Sequence, residues 1–355
     1  MNYETMAQAG LEAYRKNPGA LVLAIESSCD ETAASILRGG REVLSMAVHT
    51  QIPLHRKYGG VVPELASRSH VERVGGVVQE ALNQSGANIE DISAVAVTKG
   101  PGLVGALLVG VSYAKGIAFS QGLPLIGVNH LAGHVAANYL TFSDLEPPFT
   151  CLIASGGHSH IVAVEGYTSF RLLGRTRDDA AGEAFDKVAR ALGLPYPGGP
   201  ELEKLAKSGD ENRYPLRAAF NEAQGLDMSF SGLKTAVVNL LHNAKQRGEE
   251  EVDAPSLAAS FQRAVCATLA DKAVRAALEQ GKRTLALAGG VSANKYLRDM
   301  LENACKANCL RFCCPDMRFC TDNAAMIGCA GHYALLDGKL SGLDLNASPG
   351  LPLWE

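Results

Sequence analysis

The sequence has no run of about 18 apolar residues free of charge, so no segment reads as a membrane span. Its first twenty residues, MNYETMAQAGLEAYRKNPGA, lack the apolar core of a signal peptide, and Glu4 and Glu12 argue against an organellar transit peptide. The cytoplasm is therefore the expected compartment. A basic excess is missing too: 33 Lys and Arg stand against 37 Asp and Glu, a formal net charge of −4. Proteins that live on nucleic acid usually show the opposite balance. Any such contact here needs a local basic patch or charge supplied by partners. Paired Cys-x-x-Cys spacing is absent from the nine cysteines, six of which fall late, at Cys305, Cys309, Cys313, Cys314, Cys320 and Cys329. That odd set, with no secretion signal, reads as reduced, buried or incidental thiols rather than as a zinc centre. Aromatics are scarce at 6%, whereas glycine is abundant at 37 residues, which points to tight turns and close backbone approach.

What is present is an alternation of strand-like and helix-like segments, the signature of an α/β fold. The length, 355 residues, exceeds what one hydrophobic core usually serves, so two domains are expected. Leu21–Ile25 is an apolar run that reaches the polar turn Glu26-Ser27-Ser28-Cys29-Asp30-Glu31-Thr32 and resumes as Ala33–Leu37. Thr150–Ala154 repeats the plan, reaching Ser155-Gly156-Gly157-His158-Ser159 and resuming as His160–Val164. Both read as hairpins with small polar tips. A strand–glycine–helix step follows in each half: Ala94–Thr98, Gly100-Pro101-Gly102 and a helix over Leu103–Phe119, then Thr284–Ala288, Gly289-Gly290 and a helix from about Ser292. This is an internal duplication. It points to an actin-like ATPase fold of the sugar-kinase and Hsp70 type, with two lobes around a nucleotide cleft. Residues 1–20 read as an extension, with helix as its candidate conformation. Residues 21–146 read as the N-terminal lobe and 147–355 as the C-terminal lobe, parted where Pro147-Pro148 breaks the chain. The second lobe carries a helical insertion over about 178–280, and the first carries Gln51–His70.

His130-Leu131-Ala132-Gly133-His134 is the sharpest chemical feature. Histidines at i and i+4 stack on one helix face, a common way to present two imidazoles to one metal. The alternative is two unrelated polar residues on a helix surface. A zincin protease is excluded, because Leu131 stands where such an enzyme needs its glutamate. Ser155-Gly156-Gly157 suits a phosphate cradle, since glycines free backbone amides to meet an anion, or is simply a tight turn. In Asp178–Lys187, Glu183 and Asp186 share a helix face and suit ribose hydroxyls, or form a solvated acidic helix start. Gly289–Asn294 suits an approaching nucleotide, with Ser292 or Asn294 near a helix cap. Asp322, in Thr321-Asp322-Asn323, reads by itself as a plain N-cap for a helix over Ala324–Leu336.

The stretches IESSCDETAASIL, YGGVVPELASRSHVE, KGPGLVGALLVG, NHLAGHVAA, IASGGHSHIV, DDAAGEAFDKVARALGLPYPGGP, SFSGLKTAV, LAGGVSAN and FCTDNAAMIG occur in this order from Leu21 onward. Together they resemble the TsaD family of tRNA N6-adenosine threonylcarbamoyltransferases, formerly described as glycoproteases. The resemblance implies that His130, His134 and Asp322 hold one divalent metal, iron in the family, with zinc also suited to the ligands. It implies that Ile153, Ala154, Ser155, Gly156 and Gly157 bind the phosphate side of a nucleotide of the ATP or AMP type. Asp186, Gly199 and Asn294 would bind its nucleoside end, and Asp30 would be the acidic residue near the phosphates, a candidate proton acceptor.

The implied reaction is acyl transfer from threonylcarbamoyl-AMP to N6 of the adenosine 3′ of the anticodon in tRNAs reading ANN codons. Implied partners are tRNA, an inactive sister protein of the same fold and a small P-loop ATPase. Rival readings are an O-carbamoyltransferase or a phosphotransferase on the same fold. The phosphotransferase has no use for two histidines and an aspartate on a metal. The segment Gln51–Arg73 is locally basic, with Arg56, Lys57, Arg68, Arg73, His55 and His70 against Glu64 and Glu72, and is expected to contribute a tRNA or partner surface.

Overall fold

A computed structural model of the chain describes residues 2–217, 225–247 and 252–354. Two compact units divide them. The first comprises residues 1–147, 165–170 and 315–355, and the second residues 148–164 and 171–314.

The first unit is built on strands β1 (Leu21–Glu26), β2 (Glu31–Arg38), β3 (Glu42–Thr50), β4 (Ile92–Gly100) and β5 (Leu125–Asn129), in the order β3-β2-β1-β4-β5. β1 runs antiparallel to β2 and parallel to β4. Its residues Val22–Glu26 are all buried, because helices cover both faces of a central strand, hence the unbroken apolar run. The second unit uses β6 (Phe149–Ala154), β7 (Ser159–Gly166), β8 (Ser169–Arg175), β9 (Thr284–Ala288) and β10 (Arg311–Cys313). Read from its far edge, that sheet runs β8-β7-β6-β9-β10, the same plan as the first. The expected duplication is therefore present strand for strand. β3 and β8, which complete each plan, escape sequence reading because polar residues, Ser45 in β3 and Arg171 in β8, interrupt their apolar positions.

Each unit has its own core. In the first, Leu23, Ile25, Ile36, Val95 and Val97 pack with Val74, Val78 and Val111 from the helices Pro63–Ser85 and Val104–Gln121. In the second, Phe185, Phe230, Phe261 and Leu269 form the centre, on the described helices of the expected insertion and the turn that precedes one of them. The N-terminal extension is a helix, Tyr3–Lys16. It buries Tyr3, Ala7, Leu11 and Tyr14, one stripe at helical spacing. The helix expected from Ser292 starts at Lys295, after a single 3₁₀ turn over Gly290–Ala293.

One expectation needs correction. Residues 315–355, expected in the C-terminal lobe, pack with the first unit. The cause is the helix Ala324–Leu336, AAMIGCAGHYALL, which is apolar nearly all round and so must be buried. It lies against β1, β2, β4 and the helix His130–Thr141. Gly331 makes this approach close, since a Cβ there would sit 2.7 Å from Ala96 Cβ. Gly133 on the facing helix does the same, with a Cβ position 2.6 Å from Ile327 Cδ1.

Gly331→Val should therefore destabilise the protein by about 2 kcal/mol through overpacking. Gly76→Ala, on an exposed helical face with open space around the new Cβ, should stabilise it by about 0.5 kcal/mol. Urea denaturation of the two variants checks both; equal midpoints would mean that the small residue at 331 is not needed for the packing.

Candidate functional site

His130 and His134 open the helix His130–Thr141 and sit one turn apart, with ring centroids 4.5 Å from each other. Asp322 meets both. Its Oδ1 lies 3.5 Å from His130 Nε2 and 3.4 Å from His134 Nε2. The three side chains offer ligand atoms all within 4.8 Å of one another, the only such group of His, Cys, Asp or Glu among the described residues. Asp322 is not the cap that its sequence position suggests. Asn323 caps the helix instead, its side chain accepting from Met326 N at 2.9 Å, which leaves Asp322 directed at the histidines.

The electrostatics favour a cation. Glu26, wholly buried at the end of β1, accepts from Thr98 Oγ1 at 2.6 Å and lies 3.0 Å from His130 Nδ1. Burial opposes charge on His130, but Asp322 and Glu26 outweigh it and push its pKa up to about 9. His130 thus sits between two carboxylates, which favour positive charge at this position. His134 is shifted down, by burial and by its charged neighbour. It is fully buried; its Nδ1 has no hydrogen-bond partner and its Nε2 faces only Asp322 Oδ1, at 3.4 Å. Buried polar atoms normally have one, so these nitrogens call for a ligand.

The histidine helix is held at its start by the C-terminal segment. Asn129 caps it, accepting from Leu131 N at 2.9 Å, while its Nδ2 donates to Pro352 O at 2.9 Å. The same segment ties down the loop after β4, with Ser348 N on Lys99 O at 2.7 Å and Gly102 N on Pro349 O at 3.1 Å. That loop in turn supports the first hairpin turn, Leu103 N donating to Ser28 O at 2.8 Å. Asp30, 8% exposed, is on this turn. Burial, with Asp30 and Asp322 adding to it, pushes the neighbouring Glu31 carboxyl up to about 9. Cys29 is likewise shifted upward, by burial and then by Asp30 and Asp322. Asp322 and the Asp30 turn are therefore electrostatic neighbours.

In the second unit, Ile153 and Ala154 end β6 and the turn Ser155-Gly156-Gly157 follows. Ser155 N donates to His158 O at 2.8 Å and His158 N to Ser155 Oγ at 3.2 Å, closing the turn. A Cβ on Gly156 or Gly157 would meet nothing within 4 Å. The glycines are therefore not demanded by local packing, and both are exposed. Two other glycines are demanded. Gly182 brings the start of the helix Ala181–Ala191 onto the turn, its Cβ position lying 2.6 Å from Ser155 O. Gly289, at φ +88°, crosses 2.4 Å from Ala154 O by the same measure. Asp186 accepts from Gly198 N at 2.7 Å and so shapes the loop that presents Gly199, itself in open space. Asn294 is the cap of the helix Lys295–Ala307, accepting from Leu297 N and donating to Gln262 Oε1 at 3.0 Å. Glu183 pairs with Lys187 at 2.8 Å.

Comparison with known proteins then decides the family. Residues 42–329 match the model for TsaD, tRNA N6-adenosine threonylcarbamoyltransferase. A protein of that name from Clostridium botulinum is 52% identical over 336 residues, which cover 94% of this chain and 98% of the relative. Another, from Clostridioides difficile, is 52% identical over 333 residues with the same coverage. The chain belongs to the TsaD family. Among solved structures, full-length HypF in its phosphate- and nucleotide-bound form superposes with a TM-score of 0.60 at 15% identity, over 90% of this chain and 46% of that one. Component A of the (R)-2-hydroxyglutaryl-CoA dehydratase of Acidaminococcus fermentans gives 0.54 at 15% identity, over 89% and 99%. At such identities the likeness concerns the fold alone.

Sequence reading of this TsaD-family chain missed Glu26, Glu31 and Asn129. For Glu26 a signal existed: a carboxylate closing an otherwise apolar central strand needs a buried partner. Nothing local marks Asn129, because its second contact comes from Pro352, far along the chain.

In metal-depleted protein, Glu26→Ala leaves a charged histidine and a threonine hydroxyl without their buried acceptor. It should cost about 3 kcal/mol, whereas Glu26→Gln, which retains an acceptor, should cost distinctly less. Denaturant titration of the apo variants distinguishes them; an unchanged midpoint for Glu26→Ala would show that the carboxylate holds nothing.

Proposed function

We propose that this protein transfers threonylcarbamoyl from threonylcarbamoyl-AMP to N6 of the adenosine 3′ of the anticodon in tRNAs reading ANN codons. The observation that carries the reading is the buried convergence of His130, His134 and Asp322 in a chain of the TsaD family. Two imidazoles and a carboxylate are donors suited to a divalent iron or zinc ion. The ring nitrogens of His134 have no partner besides Asp322, so the residues fit such an ion. His130, His134 and Asp322 would hold it, with Glu26 orienting His130 through the other ring nitrogen. When bound, the ion supplies Lewis acidity toward a substrate oxygen.

The remaining chemistry falls to the chain. Threonylcarbamoyl-AMP is a mixed anhydride, so the amine forms a new C–N bond, the C–O bond to the phosphate breaks, and AMP departs with the electron pair. The exposed turn at Gly156 and Gly157, closed by Ser155, would receive the AMP phosphate, beside the start of the helix Ala181–Ala191, where the helix dipole favours an anion. Ile153 and Ala154 lead into that turn. Asp186, by shaping the Gly199 loop, and Asn294, by capping the next helix, would frame the nucleoside rather than grip it with spare hydrogen bonds. Asp30 would take the proton that leaves the attacking amine. A sister protein of the same fold and a small P-loop ATPase belong to this reading as partners, and the cytoplasm as its place.

His130→Ala, His134→Ala and Asp322→Ala should each lower bound metal at least tenfold and abolish transfer, with circular dichroism unchanged. Metal analysis of the purified variants is decisive, and full occupancy in all three would sink the site. Gly156→Trp should abolish AMP binding without unfolding the turn, since the new side chain meets open space. Calorimetry with AMP tests this against Gly76→Val as a remote control; unchanged affinity in the Gly156 variant would make the turn merely structural.

A further inference from the structure

The locally basic segment Gln51–Arg73 divides into a buried base and a displayed tip. Its two histidines are not surface charges. His55 is fully buried, lying 3.2 Å from Gln51 Oε1 through Nε2 and accepting from Val62 N through Nδ1 at 3.3 Å. His70 is fully buried between Thr32 Oγ1 at 2.7 Å and Cys29 O at 2.9 Å. Arg68 is paired with Glu64 at 2.6 Å on one face of its helix. The surface expected of this segment therefore excludes its two buried histidines.

Besides the exposed Arg73, the segment displays the tip Arg56-Lys57-Tyr58. All three residues are exposed, the tyrosine by 60%, and no carboxylate lies between Gln51 and Pro63. The tip is not loose. Tyr58 N and Gly60 N both donate to His55 O, and Gly59, at φ +68°, turns the chain back. A buried, fully bonded base therefore holds two cations and an aromatic ring out from the surface. Its root is Gln51, whose N donates to Asp30 O at 2.9 Å. The five-residue helix Ile52–Arg56 separates root from tip, so the tip stands on the order of 10 Å from the Asp30 backbone. Nearby lies a hollow of about 480 Å³ whose lining includes Pro53, Leu54, Arg68, Glu72 and Arg73.

We infer that Arg56-Lys57-Tyr58 is a contact for the single-stranded anticodon loop of the acceptor tRNA, with the two cations on phosphates and the tyrosine ring stacked on an unstacked base. The inference rests on the transfer reading above and specifies how a chain of net charge −4 takes hold of its acceptor. Phosphates supply most of the affinity in such contacts, and every base offers a face to an aromatic ring. Unpaired loops are where RNA exposes its bases for stacking.

The test is fluorescence anisotropy with the full chain, alone and with its partner proteins. The probe is an unmodified tRNA transcript whose anticodon is followed by adenosine, titrated between 50 and 200 mM salt. R56E/K57E should weaken binding at least tenfold at low salt and reduce the log–log salt slope by about 1.5. Tyr58→Ala should weaken binding about tenfold with the slope unchanged, and Tyr58→Phe should retain it. Metal content and AMP affinity should stay at wild-type values in all three variants. Wild-type tRNA affinity and slope in R56E/K57E and Tyr58→Ala would overturn the inference, as would loss of partner-protein binding with tRNA binding intact. If the wild-type protein itself fails to modify tRNA, the transfer reading fails. Modification by the wild type together with indifferent variants sinks only the tip.

Discussion

The metal-type centre depends on one packing event, the return of the helix Ala324–Leu336 to the first sheet. That helix is too apolar to stay in water, and its small residues let it lie almost against β1, β4 and the histidine helix. Its N-cap, Asn323, uses the side chain that closes the helix, so the preceding Asp322 is released toward His130 and His134. The site is thus a by-product of burying an apolar helix. Any change that lifts this helix removes the third donor.

Charge then stabilises what packing has placed. A fully buried Glu26 would be costly alone, yet it has a threonine hydroxyl, the Ser28 amide and His130 around it. Asp322 closes the other side of His130. The result is a line of three side chains, carboxylate–imidazole–carboxylate, in which His130 orientation is set from both ring nitrogens. Support of this kind behind a ligand normally governs affinity almost as much as the ligand itself. The C-terminal segment adds mechanical support by holding Asn129 and, through the loop after β4, the turn that bears Asp30.

Glycine has two separate uses in the second unit. Gly182 and Gly289 are needed because backbone passes backbone too closely for a Cβ. Gly156 and Gly157 stand in open space, where a side chain would harm nothing in the fold.

Much of this was legible in the residues themselves. The duplicated hairpins, the strand–glycine–helix steps and the helical spacing of His130 and His134 are local patterns, governed by backbone periodicity and steric freedom, and they survive into the structure. Long-range placement was not legible. Asp322 looks like a cap until the helix it precedes is docked, and Glu26 looks like the polar end of a strand until His130 lies beside it. His55 and His70 read as surface residues until their partners are seen, Gln51 and Val62 for His55, and Thr32 and Cys29 on the first hairpin for His70. The linear pattern specifies which way a side chain leaves its own element. Which distant side chain it meets is settled only when apolar faces are buried together, because that burial, not the polar contact, selects the packing.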